Sequence, residues 1–432
     1  MNSPSSLLEA TAALARGDLA SARPLAQAAT RDAPELADAW LMRAVSAMAA
    51  GDLDDAGESF ARMSVLAPND ARGHAGLGQI AGARGDAHAA LTHLHEAALR
   101  QPHWSEPSLR IGERLRATRP EQAGGWFLRA ALGEPLQPAA LSGLLGCALD
   151  LRREAPPPRE FLLPRPLPRV SIVRSDAGSA HADAVRAAID RYVKPLLPDV
   201  ELIEPRTQEA SRAAWLNKAI AQAKGEVIVV LRGDVEPCSG EFMRAVLEEL
   251  MYSDLVGAVG THWLVAPAVA WTGAPYLQGW PLRRDGGRVA ITMHGFDAPV
   301  SRGMQALDGT VLALRRELAQ RLRFDEGFGG WHLCELEFSH RAYRHGLKLA
   351  ALAPCAVVQD GQRPADDGFR AEISRFATVH AVPPPFAHRQ LPGVTAHVED
   401  GTSALAACAW LERICAQRWR LSWESPPSPF EA

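Results

Sequence analysis

Gly17-Asp18-Leu19-Ala20-Ser21-Ala22 returns as Gly51-Asp52-Leu53-Asp54-Asp55-Ala56 and again as Gly85-Asp86-Ala87-His88-Ala89-Ala90. Each start lies 34 residues after the last. A second marker, Pro34, Pro68 and Pro102, keeps the same step. Each unit reads as a helix, a turn at Gly-Asp, a second helix and a proline stop. Alanine-rich faces allow the paired helices to approach closely. Two markers in phase over three units predict an all-α repeat array at the N-terminus.

With that period the segment resembles tetratricopeptide (TPR) repeats, closely over residues 4–118 and more loosely to residue 150. Such repeats bury their apolar faces by stacking, and the stack presents a concave surface. The resemblance implies an array that holds a peptide or protein; a homo-oligomerisation or stabilising element is the alternative. His93, His95, His103 and Trp104 cluster near the end of the third unit. Packing on the helix surface explains them as well as metal binding does.

The 432 residues suffice for two or three domains, with 47% hydrophobic and 22% charged residues. Net charge is −4, and residues 1–150 carry all of it, with thirteen arginines, no lysine and seventeen acids. No basic field exists to attract nucleic acid. No apolar run is long enough for a membrane-spanning helix, and no basic, apolar leader opens the chain. Six scattered cysteines without a C-x-x-C pair argue against a zinc ribbon or a disulfide scaffold. Buried, reduced thiols in a cytoplasmic protein are the expectation.

Pro156, Pro157, Pro158, Pro164, Pro166 and Pro168 cannot continue a helix and mark an extended connection. The expected division is therefore 1–150 for the repeats, 151–168 for a proline-rich linker, 169–390 for a second domain and 391–432 for a helical extension. Beyond the linker, strand-like runs at Val170–Val173, Val200–Ile203 and Glu226–Leu231 alternate with helical stretches around Ala182–Val193 and Ser211–Ala223. That alternation predicts βαβ units and a mostly parallel, Rossmann-like sheet, with ligands at the strands' carboxyl ends. No G-x-G-x-x-G follows any of these strands; the first turn offers only Asp176-Ala177-Gly178. Dinucleotide oxidoreductase and methyltransferase readings lose their main support.

Several acidic segments remain: Asp234 and Glu236 after the best strand, Asp308-Gly309, Phe324-Asp325-Glu326, and Glu335-Leu336-Glu337-Phe338-Ser339-His340-Arg341. Glu337 and Arg341 are spaced for an i,i+4 ion pair. Together with Asn217, Ala223-Lys224-Gly225 and the Arg315-Arg316 pair, their order over residues 169–365 resembles a GT-A glycosyltransferase of the family-two type. That resemblance implies a TPR solenoid followed by an α/β GT-A domain, and inverting transfer from a nucleotide sugar. Glu335 would be the base, Asp308 would hold sugar or acceptor hydroxyls, and Glu204, Arg212 and Asn217 would line the nucleotide pocket. Asp234 would hold a divalent cation, Mn²⁺ or Mg²⁺, at the diphosphate. Two departures stand out: Arg232 replaces the first acid of the D-x-D-type loop, and Gln359 stands where many relatives carry His. Arg232 is placed to take over part of the cation's role. The acceptor would be a polypeptide or glycan selected by the repeats, such as a bacterial surface protein. A catalytically weak interaction protein is the competing reading.

Overall fold

The computed structural model describes residues 5–156, 158–175, 181–205, 211–265, 273, 275–328, 333–360, 367–382 and 392–430. The chain divides into two compact units, one of residues 1–147 with 417–432, the other of residues 148–416. The Asp176–Gly178 turn lies outside the described residues.

The first unit is helical: α1 (Ser5–Ala15), α2 (Leu19–Asp32), α3 (Ala37–Ala49), α4 (Leu53–Leu66), α5 (Ala71–Ala83), α6 (Ala87–Arg100), α7 (Ser105–Leu115), α8 (Pro120–Leu132) and α9 (Pro138–Leu151), whose last turn passes into the second unit. The repeated Gly-Asp now has a physical account. Gly17, Gly51 and Gly85 hold φ of +74°, +79° and +80° with open space around them, so backbone conformation alone demands glycine. The following aspartates cap the second helices: Asp18, Asp52 and Asp86 accept the N–H groups of Ser21, Asp55 and Ala89 at 3.1, 3.1 and 2.9 Å. A fourth pair, α7 and α8, breaks the pattern. In phase, its turn falls on Arg119-Pro120, where proline at the first helical position replaces the aspartate cap.

The second unit is built on a seven-stranded sheet in the order β10-β13-β5-β12-β3-β1-β2. Its strands are β1 (Val170–Arg174), β2 (Glu201–Ile203), β3 (Val227–Leu231), β5 (Leu255–Gly257), β10 (Val300–Arg302), β12 (Val311–Arg315) and β13 (Leu349–Leu352). β2, β1 and β3 pair in parallel, and β5 and β13 pair in parallel. β12 lies between these two groups, antiparallel to both β3 and β5, and β10 is antiparallel at the edge. The sheet is mixed. Five strands share one direction; β1, β3, β5 and β13 are buried along their whole length, and the edge strand β2 is half-buried.

Two smaller sheets complete the unit. One joins β11 (Ala306–Leu307), β6 (Gly260–Thr261) and β7 (Leu277–Gln278). The other joins β15 (Val394–Val398), β9 (Arg288–Met293), β8 (Leu282–Asp285), β14 (Val357–Gln359) and β4 (Val235–Pro237). The helices are α10 (Ala182–Tyr192), α11 (Arg212–Gln222), α12 (Glu241–Glu249), α13 (Arg316–Leu322), α14 (Cys334–Arg344), α15 (Asp367–Val379) and α16 (Gly401–Ala416).

The stretch from 391 onward differs from the expected helical extension. Val394–Val398 is a strand that covers the open edge of β9 over five residue pairs. After α16, residues 417–432 belong to the repeat unit. The proline-rich stretch is not a free spacer either. Phe161 and Leu163 pack on the α/β core, and the Leu162 N–H donates to Glu248 at 2.8 Å. Every cysteine except Cys238 is buried. Among the described residues no helix is long and apolar enough to cross a membrane.

Candidate functional site at the carboxyl edge of the central sheet

β1, β2 and β3 end on one edge, and antiparallel β12 starts there, because Val311 pairs with Leu231. The topology therefore brings Arg174, Glu204, Arg232-Gly233-Asp234 and Asp308-Gly309-Thr310 together. Backbone bonds stitch the loops: Arg232 N donates to Thr310 O at 3.2 Å, and Ser175 N to Leu231 O at 2.9 Å. α11 and α14 add Arg212 and Glu335 at their first turns.

The floor is an arginine–carboxylate lattice. Arg174, 2% exposed, pairs with Glu204 and donates to Gly233 O at 3.1 Å. Arg186 holds the other oxygen of Glu204 at 2.8 Å. Burial pushes the Glu204 carboxyl up, but the two guanidinium groups outweigh it and hold it below its ordinary value. Arg212 meets Glu335 at 2.5 Å, both side chains almost fully buried, and also donates to Ser175 at 2.7 Å. Gly309 leaves room for Glu335: a Cβ there would lie 3.2–3.3 Å from its carboxyl group. Burial drives the Asp308 carboxyl up, against its bond from Thr310 and the nearby charge of Arg232. Among the described residues no hydrogen bond reaches Asp308 Oδ1, which is shielded from water.

Arg232 and Asp234 form the accessible rim. Arg232 clamps Asp234 with two bonds, at 2.6 and 3.2 Å, and its Nη2 also donates to Gln359 Oε1 at 2.6 Å. The two departures from the family pattern thus act on each other. Both oxygens of the expected metal ligand are taken by a guanidinium, and among the described residues no three His, Cys, Asp or Glu side chains could share a metal ion. This donor set does not fit a resident Mn²⁺ or Mg²⁺.

The family model for tetratricopeptide repeats matches residues 13–80. The N-terminal region carries TPR repeats. A thermophilic TPR protein of Thermus thermophilus is 20% identical over 34% of this chain and 81% of its own, with a TM-score of 0.30. The pilF protein of Pseudomonas aeruginosa is 23% identical over 34% of this chain and 67% of its own, at 0.31. An O-GlcNAc transferase mutant of Thermobaculum terrenum is 18% identical over 50% of this chain and 39% of its own, at 0.24. No curated protein matches the chain.

Not every residue singled out in the sequence joins the α/β cluster. Asn217 is spent on a clip: its amide donates to Phe324 O and Glu326 Oε1 at 2.9 Å each and accepts from Phe324 N at 2.8 Å. Arg315 and Arg316 are carried by β12 to the opposite edge of the sheet, where Arg316 donates to Ala223 O at 3.3 Å. On α14, Glu337 pairs with Arg341 at 2.7 Å, and Ser339 accepts from the Leu307 N–H at 3.0 Å. Phe338 stacks on Phe324 at 4.2 Å. Of that acidic stretch, Glu335 reaches the cluster. Arg174 and Arg186 were missed by the sequence reading; the signal for Arg174 was a cation ending an otherwise apolar strand.

Proposed function

We propose that the α/β unit transfers a glycosyl group from a nucleotide sugar, with inversion, to an acceptor selected by the TPR array. The observation that carries the reading is the convergence of Arg174, Glu204, Arg212, Arg232, Asp234, Asp308 and Glu335 on the edge where sheets of this kind bind ligands. Arg232, half-buried at the rim, suits a diphosphate through its planar fork of donors. Asp308 offers an acceptor oxygen for a sugar hydroxyl, and Glu335 lies behind Gly309 as the base. The acceptor is a polypeptide or glycan, and the acidic balance of the repeats suits a basic or neutral polypeptide segment.

One observation favours a second reading. Both candidate carboxylates, Asp234 and Glu335, are neutralised by arginines, and Glu335 is sealed from solvent. A unit so arranged binds nucleotide sugar and turns it over weakly, serving mainly as an interaction module. Nucleotide release from a panel of nucleotide sugars, with and without EDTA, separates the outcomes. The proposal expects release that EDTA leaves intact and Arg232→Ala removes. Thermal stabilisation by the sugar nucleotide without release supports the second reading, and neither effect with any donor overturns both.

A further inference from the structure

One described segment near residue 430 lies on the repeats as a bound peptide lies on a receptor. Residues 422–430, Ser-Trp-Glu-Ser-Pro-Pro-Ser-Pro-Phe, form no helix or strand. They follow α6 and α8, the second helices of the third and fourth repeats, in reversed order along both. On α8, Arg129 donates to Ser422 O and Trp423 O at 2.7 and 3.3 Å, Gln122 to Ser428 O at 3.1 Å, and Arg119 to Pro429 O at 3.3 Å. Along α6 and the loop after it, the His103 ring lies 4.4 Å from Trp423, His95 Nε2 lies 3.4 Å from Pro426 O, and the His88 ring lies 4.6 Å from Phe430. Of the histidines that the sequence left between packing and metal binding, His95 and His103 therefore have a use, while His93 meets His74 at 3.5 Å.

The chemistry of the two sides matches. Pro426, Pro427 and Pro429 have no N–H, so residues 426–429 offer mainly carbonyl acceptors, and the helices meet the segment with arginine and amide donors. Pro426 and Pro429 are buried while Pro427 is exposed, the spacing that puts prolines on one face of a three-residue-per-turn polyproline helix. Arg129 is the unusual member. It is 1% exposed, its charge meets no carboxylate among the described residues, and burial pushes it down to about 10. Its two Nη groups donate to the two tail carbonyls while its Nε has no partner among the described residues, and its guanidinium lies 5.7 and 5.0 Å from the rings of Trp126 and Trp423. A buried cation of this kind is costly to the array unless a peptide backbone covers it.

We propose that the groove along α6 and α8 is a polypeptide-binding site for an aromatic-led, proline-rich segment. Residues 422–430 fill it within the same chain until a partner protein carrying such a segment displaces them. The inference is independent of the glycosyl-transfer reading, because it concerns the repeat unit alone. A tethered tail acts at an effective concentration of about 1 mM, so a free peptide with a Kd of about 10 µM for the open groove binds the wild-type chain about 100-fold more weakly.

The test uses a fluorescein-labelled peptide of residues 421–430 and the full chain. Fluorescence anisotropy should show weak binding to wild type and at least tenfold tighter binding to Trp423→Ala/Pro429→Ala, which loosens the tail. Adding Arg129→Ala should remove that gain, and Pro426→Ala/Pro429→Ala should fall between. Circular dichroism melts check that each variant folds. If the loosened tail gives no gain, or a scrambled peptide binds equally well, the tail is a fixed brace and the proposal fails. A wild-type dimer in sedimentation that becomes monomeric on loosening the tail would mean the segment is exchanged between copies, which also overturns it.

Discussion

Replacing Glu412 by glutamine should stabilise the α/β unit at alkaline pH and change it much less near pH 5. Glu412 lies on α16 with its side chain 17% exposed, and Arg159 of the proline-rich arm meets it at 3.3 Å. The same arginine also lies 3.5 Å from Glu248, so one cation serves two carboxylates, with Glu241 nearby. Burial pushes the Glu412 carboxyl up, Arg159 opposes this, and Glu241 and Glu248 add to the rise, leaving it at about 7 against an ordinary 4.5. Each pKa unit corresponds to about 1.4 kcal/mol, so the native state loses about 3 kcal/mol as this group ionises. The sign is fixed by the raised value. The contribution is fully present below about pH 4.5 and is lost as pH rises through about 7. Glutamine, uncharged throughout, avoids that loss. Urea melts of wild type and Glu412→Gln at about pH 5 and pH 8, taking the transition of the α/β unit, measure the difference. Parallel losses in the two proteins would show that Glu412 is already ionised in the native state at neutral pH and refute the reasoning.

Further outcomes follow from close contacts and buried charges elsewhere. Gly225→Ala should cost about 2–3 kcal/mol in thermal melts, because a Cβ there would lie 2.4 Å from Ser171 N, backbone that cannot yield. Gly51→Ala should cost about 1–2 kcal/mol through its φ of +79°, with Gly51→Asn recovering much of it. Asp308→Asn should raise stability at pH 8 and lose that advantage as pH falls, because burial raises the native Asp308 pKa and acid restores its proton. Glu335→Gln should lower the proposed turnover about 10²–10⁴-fold and destabilise the unit by about 3–5 kcal/mol, since it leaves Arg212 buried without its counter-charge. The double replacement Arg212→Met/Glu335→Met should recover stability but not turnover. Recovery of both would make the pair purely structural.

The repeats were legible because their signals are local. Gly17, Gly51 and Gly85 answer a backbone need, Asp18, Asp52 and Asp86 answer the helix that begins beside them, and neither requires knowledge of the rest of the fold. The fourth pair was faint because Arg119-Pro120 solves the same problem by different chemistry. Strand runs such as Val227–Leu231 were equally plain. Order within the sheets was not, because the placing of β12 between β3 and β5 depends on contacts across 80 residues of chain. The strand Val394–Val398 was hidden for a related reason: it alternates only half-buried residues, and its partner β9 is a century of residues away.

The candidate site shows how far spacing carries chemistry. Acidic residues could be picked out, but a carboxylate's role depends on what faces it, and sequence does not show that. Asp234, expected to hold a metal, has both oxygens clamped by Arg232, two residues earlier, with Gln359 bracing the same guanidinium. Glu335, expected as the base, is paired with Arg212, from a helix more than a hundred residues earlier. Each departure from the expected pattern was visible singly. Their meaning lay in the pairing: an arginine that neutralises an acid also supplies the positive charge for which the acid would have recruited a cation. A single substitution tests that equivalence. With Arg232→Ala, Asp234 is released and the rim regains a free carboxylate. Mn²⁺ should then stabilise the variant in thermal melts and leave wild type unmoved, whereas equal shifts in the two proteins would show that the guanidinium does not stand in for the ion.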